Sequence, residues 1–260
     1  MTNYTVDTLE LGPFTTESGE LISNLKLRYE HVGLKGQPLV VVCHALTGNH
    51  LTYGTNDQPG WWRGIIDGGY MPINDYQFLT FNVIGSPYGS SSALTDADFP
   101  QTLTLRDIVR AIEIGIETLG FEHINILIGG SLGGMQAIEL LYNRKFNVDK
   151  AVILAATDKT SSYSRAFNEI ARQAIHLDPK NGMSIARQLG FLTYRSSKSY
   201  DKRFSPDQVV AYQKHQGDKF MNHFDYACYL TLLDVLDSHN IDRGRYDVDE
   251  VFKSLDTKVL

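Results

Sequence analysis

The sequence predicts an α/β fold in which a mostly parallel sheet is followed by an inserted block of helices. Three runs, over 39–43, 76–85 and 124–130, are mainly apolar and rich in β-branched residues, as strands buried on both faces are. A helical period between the second and third runs supplies the strand–helix–strand alternation of a parallel sheet. Beyond residue 156 this alternation stops, and the next segments indicate helices.

The first elements in chain order are strands. Residues 4–33 alternate apolar and polar side chains between glycine-containing breaks, which predicts strands with one buried face. The run over 39–43 consists almost entirely of valine and leucine, and the run over 76–85 combines aromatic with β-branched residues. Both runs predict strands in the interior of the sheet.

Residues 102–120 change period and predict the first long helix. Thr104 can cap its N-terminus and Gly120 can end it. A strand over 124–130, a second helix and a strand over 149–156 then continue the alternation. The apolar residues that share one face of the first helix are Ile108, Ile112, Ile116 and Leu119.

Further helices are predicted between residues 160 and 240, where Ser205 caps one helix and Pro206 occupies its first turn. The closing letters DTKVL predict the beginning of another strand. We therefore expect a core that contains the sheet, a helical lid, and a return of the chain to the core. These three parts comprise residues 1–158, 159–245 and 246–260.

The composition is that of a globular protein, with 260 residues, 42% hydrophobic residues and a net charge of -6. Because lysine and arginine form no stripe, we expect no nucleic-acid partner. The N-terminus does not resemble a secretion signal, no apolar stretch is long enough for a bilayer, and two cysteines make no disulfide framework. These features predict a cytoplasmic protein without a membrane partner. No motif predicts a metal or a resident cofactor.

Ser131 stands between two pairs of glycines, after a predicted strand and before a predicted helix. Gly129, Ser131 and Gly133 fit the G-x-S-x-G pattern of a nucleophile elbow, in which the serine occupies a strained turn. Glycines there avoid clashes with the neighbouring backbone, and the N–H of Leu132 at the helix N-terminus favours a developing oxyanion. The alternative is a glycine-rich turn with an incidental serine. The flanking strand and helix favour the nucleophile.

The loop over 43–50 follows a buried strand and is expected to lie beside the elbow. In a hydrolase-type sheet this loop supplies the second oxyanion N–H, for which Leu46 is the candidate. Without the elbow, an ordinary loop between a strand and a helix would be the better interpretation. We expect His44 and His50 to shape this loop rather than to act as bases, because neither lies where a triad histidine belongs.

Several motifs together resemble the homoserine O-acetyltransferases, a family with the α/β-hydrolase fold. The resemblance extends over nearly the whole chain and includes the helical block, so it is more specific than the elbow alone. It implies an α/β-hydrolase fold in which the helical block is a lid over the site. The segments that carry the resemblance include HALTGNHLTYG, GWWRGIIDGG, NVIGSPYGSSS, IGGSLGGMQA, YQKHQGDKF and FDYACYLTLLDVLDSHNI.

The resemblance implies transfer of acetyl from acetyl-CoA to the hydroxyl of L-homoserine through an acetyl-serine. Ser131 would be the nucleophile, and Leu46 and Leu132 would donate the two oxyanion N–H groups. Arg195 would bind the homoserine carboxylate, which suits a guanidinium fork; taken alone, it would be an ordinary solvated arginine. The resemblance also implies that CoA is a substrate, with no cofactor, and that the lid helices form a homodimer.

Two departures from the family pattern leave part of the function open. The segment GSPYGSSSA differs from the usual family sequence after the second strand, which leaves the acyl donor open. In the family, the triad aspartate and histidine lie beyond the point that Leu260 occupies here. We therefore expect a C-terminally truncated chain that lacks the last core strands and helix and has negligible activity. The alternatives are a succinyl- or serine-specific acyltransferase, an esterase of the same fold, and a non-catalytic remnant.

Overall fold

A seven-stranded sheet forms the centre of the computed structural model, which describes residues 3–260. Two further short strands form a separate hairpin. The strands are β1 (Asn3–Glu10), β2 (Phe14–Thr15), β3 (Leu21–Ile22), β4 (Lys26–Gly33), β5 (Leu39–Cys43), β6 (Gln77–Phe81), β7 (His123–Gly130), β8 (Asn147–Leu154) and β9 (Lys258–Val259).

The sheet has the strand order β1-β4-β6-β5-β7-β8-β9. The β1–β4 and β4–β6 pairs are antiparallel, and the other four pairs are parallel. All residues of β5 and β6 are buried, because helices and loops cover both faces of the sheet at its centre. The prediction of a mostly parallel sheet is confirmed.

Strand β6 is shorter than the apolar run from which it was predicted. It ends at Phe81, although the run continues to residue 85. The backbone N–H of Val83 donates to His44 Nε2 at 3.0 Å instead of to a neighbouring strand. Gly85, at φ 86°, then turns the chain, so the apolar residues after Phe81 belong to a buried loop.

Strand β8 begins earlier than predicted and ends earlier as well. It covers Asn147–Leu154 rather than 149–156, because Ala155 adopts a left-handed conformation at φ 49°. The closing segment pairs with it in parallel as β9, with Lys258 opposite Lys150. The expectation of a strand in the last letters of the sequence is therefore correct.

Nine helices are present among the described residues. Those over 63–67, 197–203 and 248–253 were not predicted, because all three are too short for a helical period to show. The helices are α1 (Arg63–Asp67), α2 (Leu105–Thr118), α3 (Leu132–Asn143), α4 (Ser162–Leu177), α5 (Pro179–Thr193), α6 (Ser197–Arg203), α7 (Pro206–Met221), α8 (Tyr226–Ser238) and α9 (Val248–Lys253).

The capping signals predicted for two helices are present. The side chain of Thr104 accepts from the backbone N–H of Asp107 and forms a capping box at the start of α2. Gly120, at φ 78°, ends the same helix. Ser205 caps α7 in the same manner, with Pro206 in the first turn. Of the predicted apolar face of α2, Ile108, Ile112 and Ile116 are buried and Leu119 is partly buried.

Helices α4 to α8 follow the sheet strand β8 and pack closely on one another. A Cβ added to Gly182 of α5 would lie 2.1 Å from the carbonyl oxygen of Ala174 in α4. One added to Gly217 of α7 would lie 2.8 Å from the carbonyl oxygen of Ser184 in α5. The absence of side chains at these glycines lets α5 lie against both neighbours. The bounds given above for the lid remain a prediction.

A buried carboxylate ties the core to the segment that follows α8. Glu139 on α3 is almost fully buried and forms ion pairs with Arg106 at 3.5 Å and Arg245 at 2.7 Å. Arg245 also stacks on the ring of Tyr142, with 3.7 Å from its Cζ to the ring centroid.

Within residues 3–260, no helix combines the length and apolar character that crossing a membrane requires.

Candidate active site

Ser131 lies at the turn between strand β7 and helix α3. It has φ 55° and ψ -125°, a strained conformation for a residue with a side chain. Its backbone N–H donates to the carbonyl oxygen of Leu154 at 2.9 Å, which fixes the turn to strand β8. Its hydroxyl makes no capping hydrogen bond to the helix. The turn thus presents a free hydroxyl in the geometry of a nucleophile elbow.

The glycines of the elbow are required by the backbone around them. A Cβ at Gly129 would lie 2.0 Å from the carbonyl oxygen of Gly133, and one at Gly133 would lie 2.0 Å from that of Cys43. A Cβ at Gly134 would lie 2.6 Å from the Cβ of Ala156. At Gly130 the nearest atom would be 3.8 Å away. The two glycines of the G-x-S-x-G pattern are therefore positions that tolerate no side chain.

His44 fixes the loop that follows β5. Its Nδ1 donates to the carbonyl oxygen of Ala45 at 2.8 Å, and its Nε2 accepts from the N–H of Val83 at 3.0 Å. Burial lowers its pKa to about 4, so the ring is neutral at pH 7. Burial also lowers the pKa of His50 to about 4. The interpretation of His44 as a loop-shaping residue agrees with its contacts.

A cavity of about 670 Å³ opens over the elbow, between the sheet and the helical block. Ser131 and Leu46 contribute to its floor, together with Ala155 at the end of β8. Helices α4, α5 and α8 supply most of the remaining wall. Thr47, Arg187 and Tyr229 also line the cavity.

The two predicted oxyanion donors lie in the segment after Ser131 and in the loop after β5. Leu132 is the first residue of α3, so its N–H has no acceptor within the helix. Leu46 lines the cavity in the loop after β5. Neither backbone N–H donates a hydrogen bond to any residue that the structure describes. Both N–H groups are therefore without an acceptor, and of the two residues Leu46 lines the cavity.

The arginine in the cavity is Arg187, not Arg195. Arg187 lines the cavity from α5, with its Cζ 4.6 Å from the ring centroids of both Phe191 and Phe220. Its Nη1 lies 3.5 Å from the hydroxyl oxygen of Thr47, and no carboxylate in the described part of the chain forms an ion pair with it. Arg195 lies between α5 and α6 and is not part of the cavity wall.

The family resemblance assigned the carboxylate-binding role to Arg195, and the geometry of α5 explains why Arg187 rather than Arg195 lines the cavity. Residues 186, 187, 190, 193 and 194 line the cavity at the spacing of one helical face. Arg195 comes after the end of this helix, which closes at Thr193. The helical period of α5 could have identified Arg187, because its apolar and small neighbours recur with it at three- and four-residue steps.

The histidines among residues 3–260 lie outside the cavity wall. None of them lines the cavity with Ser131. The Nε2 of His239, at the end of α8, bonds to the carbonyl oxygen of Thr157 at 2.8 Å. Residues 3–260 also contain no group of three histidine, cysteine, aspartate or glutamate side chains that could hold a metal ion.

Comparisons with known proteins agree with this geometry. A family model for the alpha/beta hydrolase fold matches residues 38–238. The homoserine O-acetyltransferase of Thermus thermophilus is 34% identical over 280 residues, which cover 93% of this chain and 73% of that protein. The chain belongs to the homoserine O-acetyltransferase family. Its predicted fold class and family are therefore confirmed.

Solved structures place the chain in the same family. The crystal structure of homoserine O-acetyltransferase from Staphylococcus aureus is 79% identical, with a TM-score of 0.96, and the match covers 99% of this chain and 79% of that one. Esterase E22 is 19% identical with a TM-score of 0.75, covering 100% of this chain and 93% of its own, which shows the fold alone. The chain is therefore an enzyme of the homoserine O-acetyltransferase kind.

Proposed function

We propose that the cavity transfers an acetyl group from acetyl-CoA to the side-chain hydroxyl of L-homoserine. The observation that carries this proposal is a strained serine and a guanidinium without a carboxylate partner in one cavity. The serine suits covalent acyl transfer, and the guanidinium suits an acceptor that bears a carboxylate. The names of the relatives support the same transferred group and acceptor.

In the first step, Ser131 Oγ attacks the carbonyl carbon of the thioester. The Oγ–carbon bond forms, the carbon–sulfur bond breaks, and CoA leaves as the thiol with the proton from the serine. The negative charge that develops on the carbonyl oxygen would be stabilised by the free N–H groups of Leu46 and Leu132. We assign no residue to the role of general base, because among residues 3–260 the cavity wall contains no histidine.

In the second step, the hydroxyl of L-homoserine attacks the acetyl-serine. The bond from the acceptor oxygen to the acetyl carbon forms, the bond from Ser131 Oγ to that carbon breaks, and the proton of the acceptor hydroxyl passes to Ser131, which is released as the free hydroxyl. Arg187 would hold the α-carboxylate through two N–H groups and so orient the acceptor, the role that the family resemblance assigned to Arg195. The rings of Phe191 and Phe220 restrict the guanidinium and lower the entropic cost of this orientation.

The remaining expectations also belong to this proposal. CoA is treated as a substrate, with no resident cofactor, and the chain as a cytoplasmic homodimer. Large apolar side chains that are exposed on the helical block support a dimer interface there. Light scattering on the purified chain should give twice the monomer mass. These exposed side chains are Tyr163, Ile170, Leu177, Ile185, Leu192 and Val210.

Single-turnover acetylation tests the nucleophile without steady-state turnover. The chain is incubated with p-nitrophenyl acetate or acetyl-CoA, and peptide mass spectrometry locates the acetyl group. We expect one acetyl group on the peptide that contains Ser131 and none on that peptide in Ser131→Ala. Acetyl groups only on other residues, or equal labelling of the variant, would contradict the proposal.

Turnover is measured in parallel beside the Staphylococcus aureus protein. Loss of a triad base lowers turnover by about 10⁴-fold or more in a well-studied serine protease, while the oxyanion donors retain part of the catalysis. Because no histidine among residues 3–260 lines the cavity with Ser131, we expect CoA release in the presence of L-homoserine to be far slower than by that protein. Rapid release that Ser131→Ala abolishes would show that the chain contains a base that we have not identified.

A further inference from the structure

Tyr229 is a buried phenol in the cavity wall whose hydroxyl has no partner among residues 3–260. Its side chain is 4% exposed, and it lines the same cavity as Ser131. The buried Tyr200 differs in this respect, because its hydroxyl donates to the carbonyl oxygen of Phe191. A hydroxyl that lines a cavity without a protein partner is open to a hydrogen bond with a ligand or water.

The position of Tyr229 is fixed by aromatic packing. Its ring meets Phe220 edge to face at 5.6 Å and Phe224 at 6.1 Å between centroids. Phe220 also stacks under the guanidinium of Arg187. Tyr229 and Arg187 therefore both contact the ring of Phe220, and both line the cavity. A small ligand in the cavity can reach both groups. Burial raises the pKa of Tyr229, the neighbouring Tyr194 raises it further, and Arg187 lowers it.

The chemistry of the two groups restricts what can lie between them. A guanidinium carries only donors, and a phenol beside it can donate one further hydrogen bond. Among the described residues, no acceptor forms a hydrogen bond with the Tyr229 hydroxyl. The Arg187 guanidinium forms no ion pair there, and its hydrogen bond with Thr47 is long, at 3.5 Å. An ammonium group would be repelled by Arg187, whereas a carboxylate offers about four lone-pair positions and can accept from both.

We propose that Tyr229 is a binding residue that donates its hydroxyl hydrogen to the acceptor carboxylate held by Arg187. This assignment rests on the proposed function and adds a specificity rule to it. Acceptors are selected by a carboxylate that receives hydrogen bonds from a cation and a buried phenol. A hydroxyl compound of the same length without a carboxylate cannot accept these hydrogen bonds and binds more weakly.

The test compares two variants and two ligands by equilibrium binding. Tyr229→Phe removes only the hydroxyl, and Tyr226→Phe removes the hydroxyl of an exposed tyrosine on the same helix that does not line the cavity. Isothermal titration measures Kd for L-homoserine and for 3-amino-1-propanol, which lacks the carboxylate. Thermal melting of each variant confirms that the fold is retained. Binding needs no turnover, so the measurement does not depend on a general base.

We expect Tyr229→Phe to weaken L-homoserine binding by about 10-fold or more, since hydrogen bonds to charged groups are the stronger class. Its affinity for 3-amino-1-propanol should change by less than about 2-fold, and Tyr226→Phe should match the unsubstituted chain for both ligands. Equal affinity of the Tyr229 variant for L-homoserine, or an equal loss for both ligands, would overturn the role of Tyr229. If the unsubstituted chain binds no L-homoserine, the proposed acceptor fails as well.

Discussion

The elbow around Ser131 and the helical block above it contribute to one cavity but are specified in different ways. In the elbow, backbone atoms lie so close that Gly129 and Gly133 admit no side chain at all. In the block, the residues that line the cavity are selected by which face of α5 they occupy. The steric constraint can be recognised in the sequence, because it requires glycines at fixed positions. The residues on a helical face can be identified only when the end of the helix is also known. The two regions should therefore respond differently to substitution.

The largest effect is expected in the elbow. Gly133→Ala places a Cβ 2.0 Å from the carbonyl oxygen of Cys43, so the β5 loop or α3 must move. We expect a loss of about 4 kcal/mol or more in the free energy of unfolding, or failure to fold. Urea denaturation followed by circular dichroism measures this loss.

Gly130→Ala is the matched control for this substitution. Its Cβ would have no neighbour closer than 3.8 Å, and its backbone is not in the left-handed region. The free energy of unfolding should stay within about 1 kcal/mol of that of the unsubstituted chain. Similar losses at Gly130 and Gly133 would show that the crowding does not explain the glycine pattern.

An intermediate effect, on binding rather than stability, is expected in the helical block. Arg187→Gln removes from the cavity a guanidinium that has no carboxylate partner, and we expect it to weaken L-homoserine binding by about 100-fold. Arg195→Gln, beyond the end of α5 and outside the cavity wall, should change the affinity by less than about 2-fold. Isothermal titration measures both. A larger loss at Arg195 would restore the original assignment and would contradict the cavity geometry.

The sequence predicted correctly the features that depend on neighbouring residues, and it did not predict those that depend on distant segments. The strands β5 and β7, the capping of α2 by Thr104 and the elbow were predicted correctly, because each depends on neighbours in the chain. The end of β6 depends on His44, far away in the sequence, which takes the N–H of Val83. The position of Arg187 depends on packing of α5 against α4 and α7, which local periodicity shows only in part. Contacts between distant segments were thus the features that the sequence left open.

The smallest effect, and the one of opposite sign, is expected at Ser131 itself. Ser131→Gly relieves the strain of a side chain at φ 55° and loses no capping hydrogen bond, because the serine hydroxyl makes none. Against this gain stands the larger chain entropy of an unfolded glycine, so we expect a net increase of about 1 kcal/mol in the free energy of unfolding. Ser131→Ala keeps the strain and should leave stability nearly unchanged. Urea denaturation of both variants measures the difference, and a glycine variant less stable than the alanine variant would show that the turn stores no strain. The predicted gain in stability with loss of the nucleophile would indicate that the conformation is retained for chemistry rather than for folding.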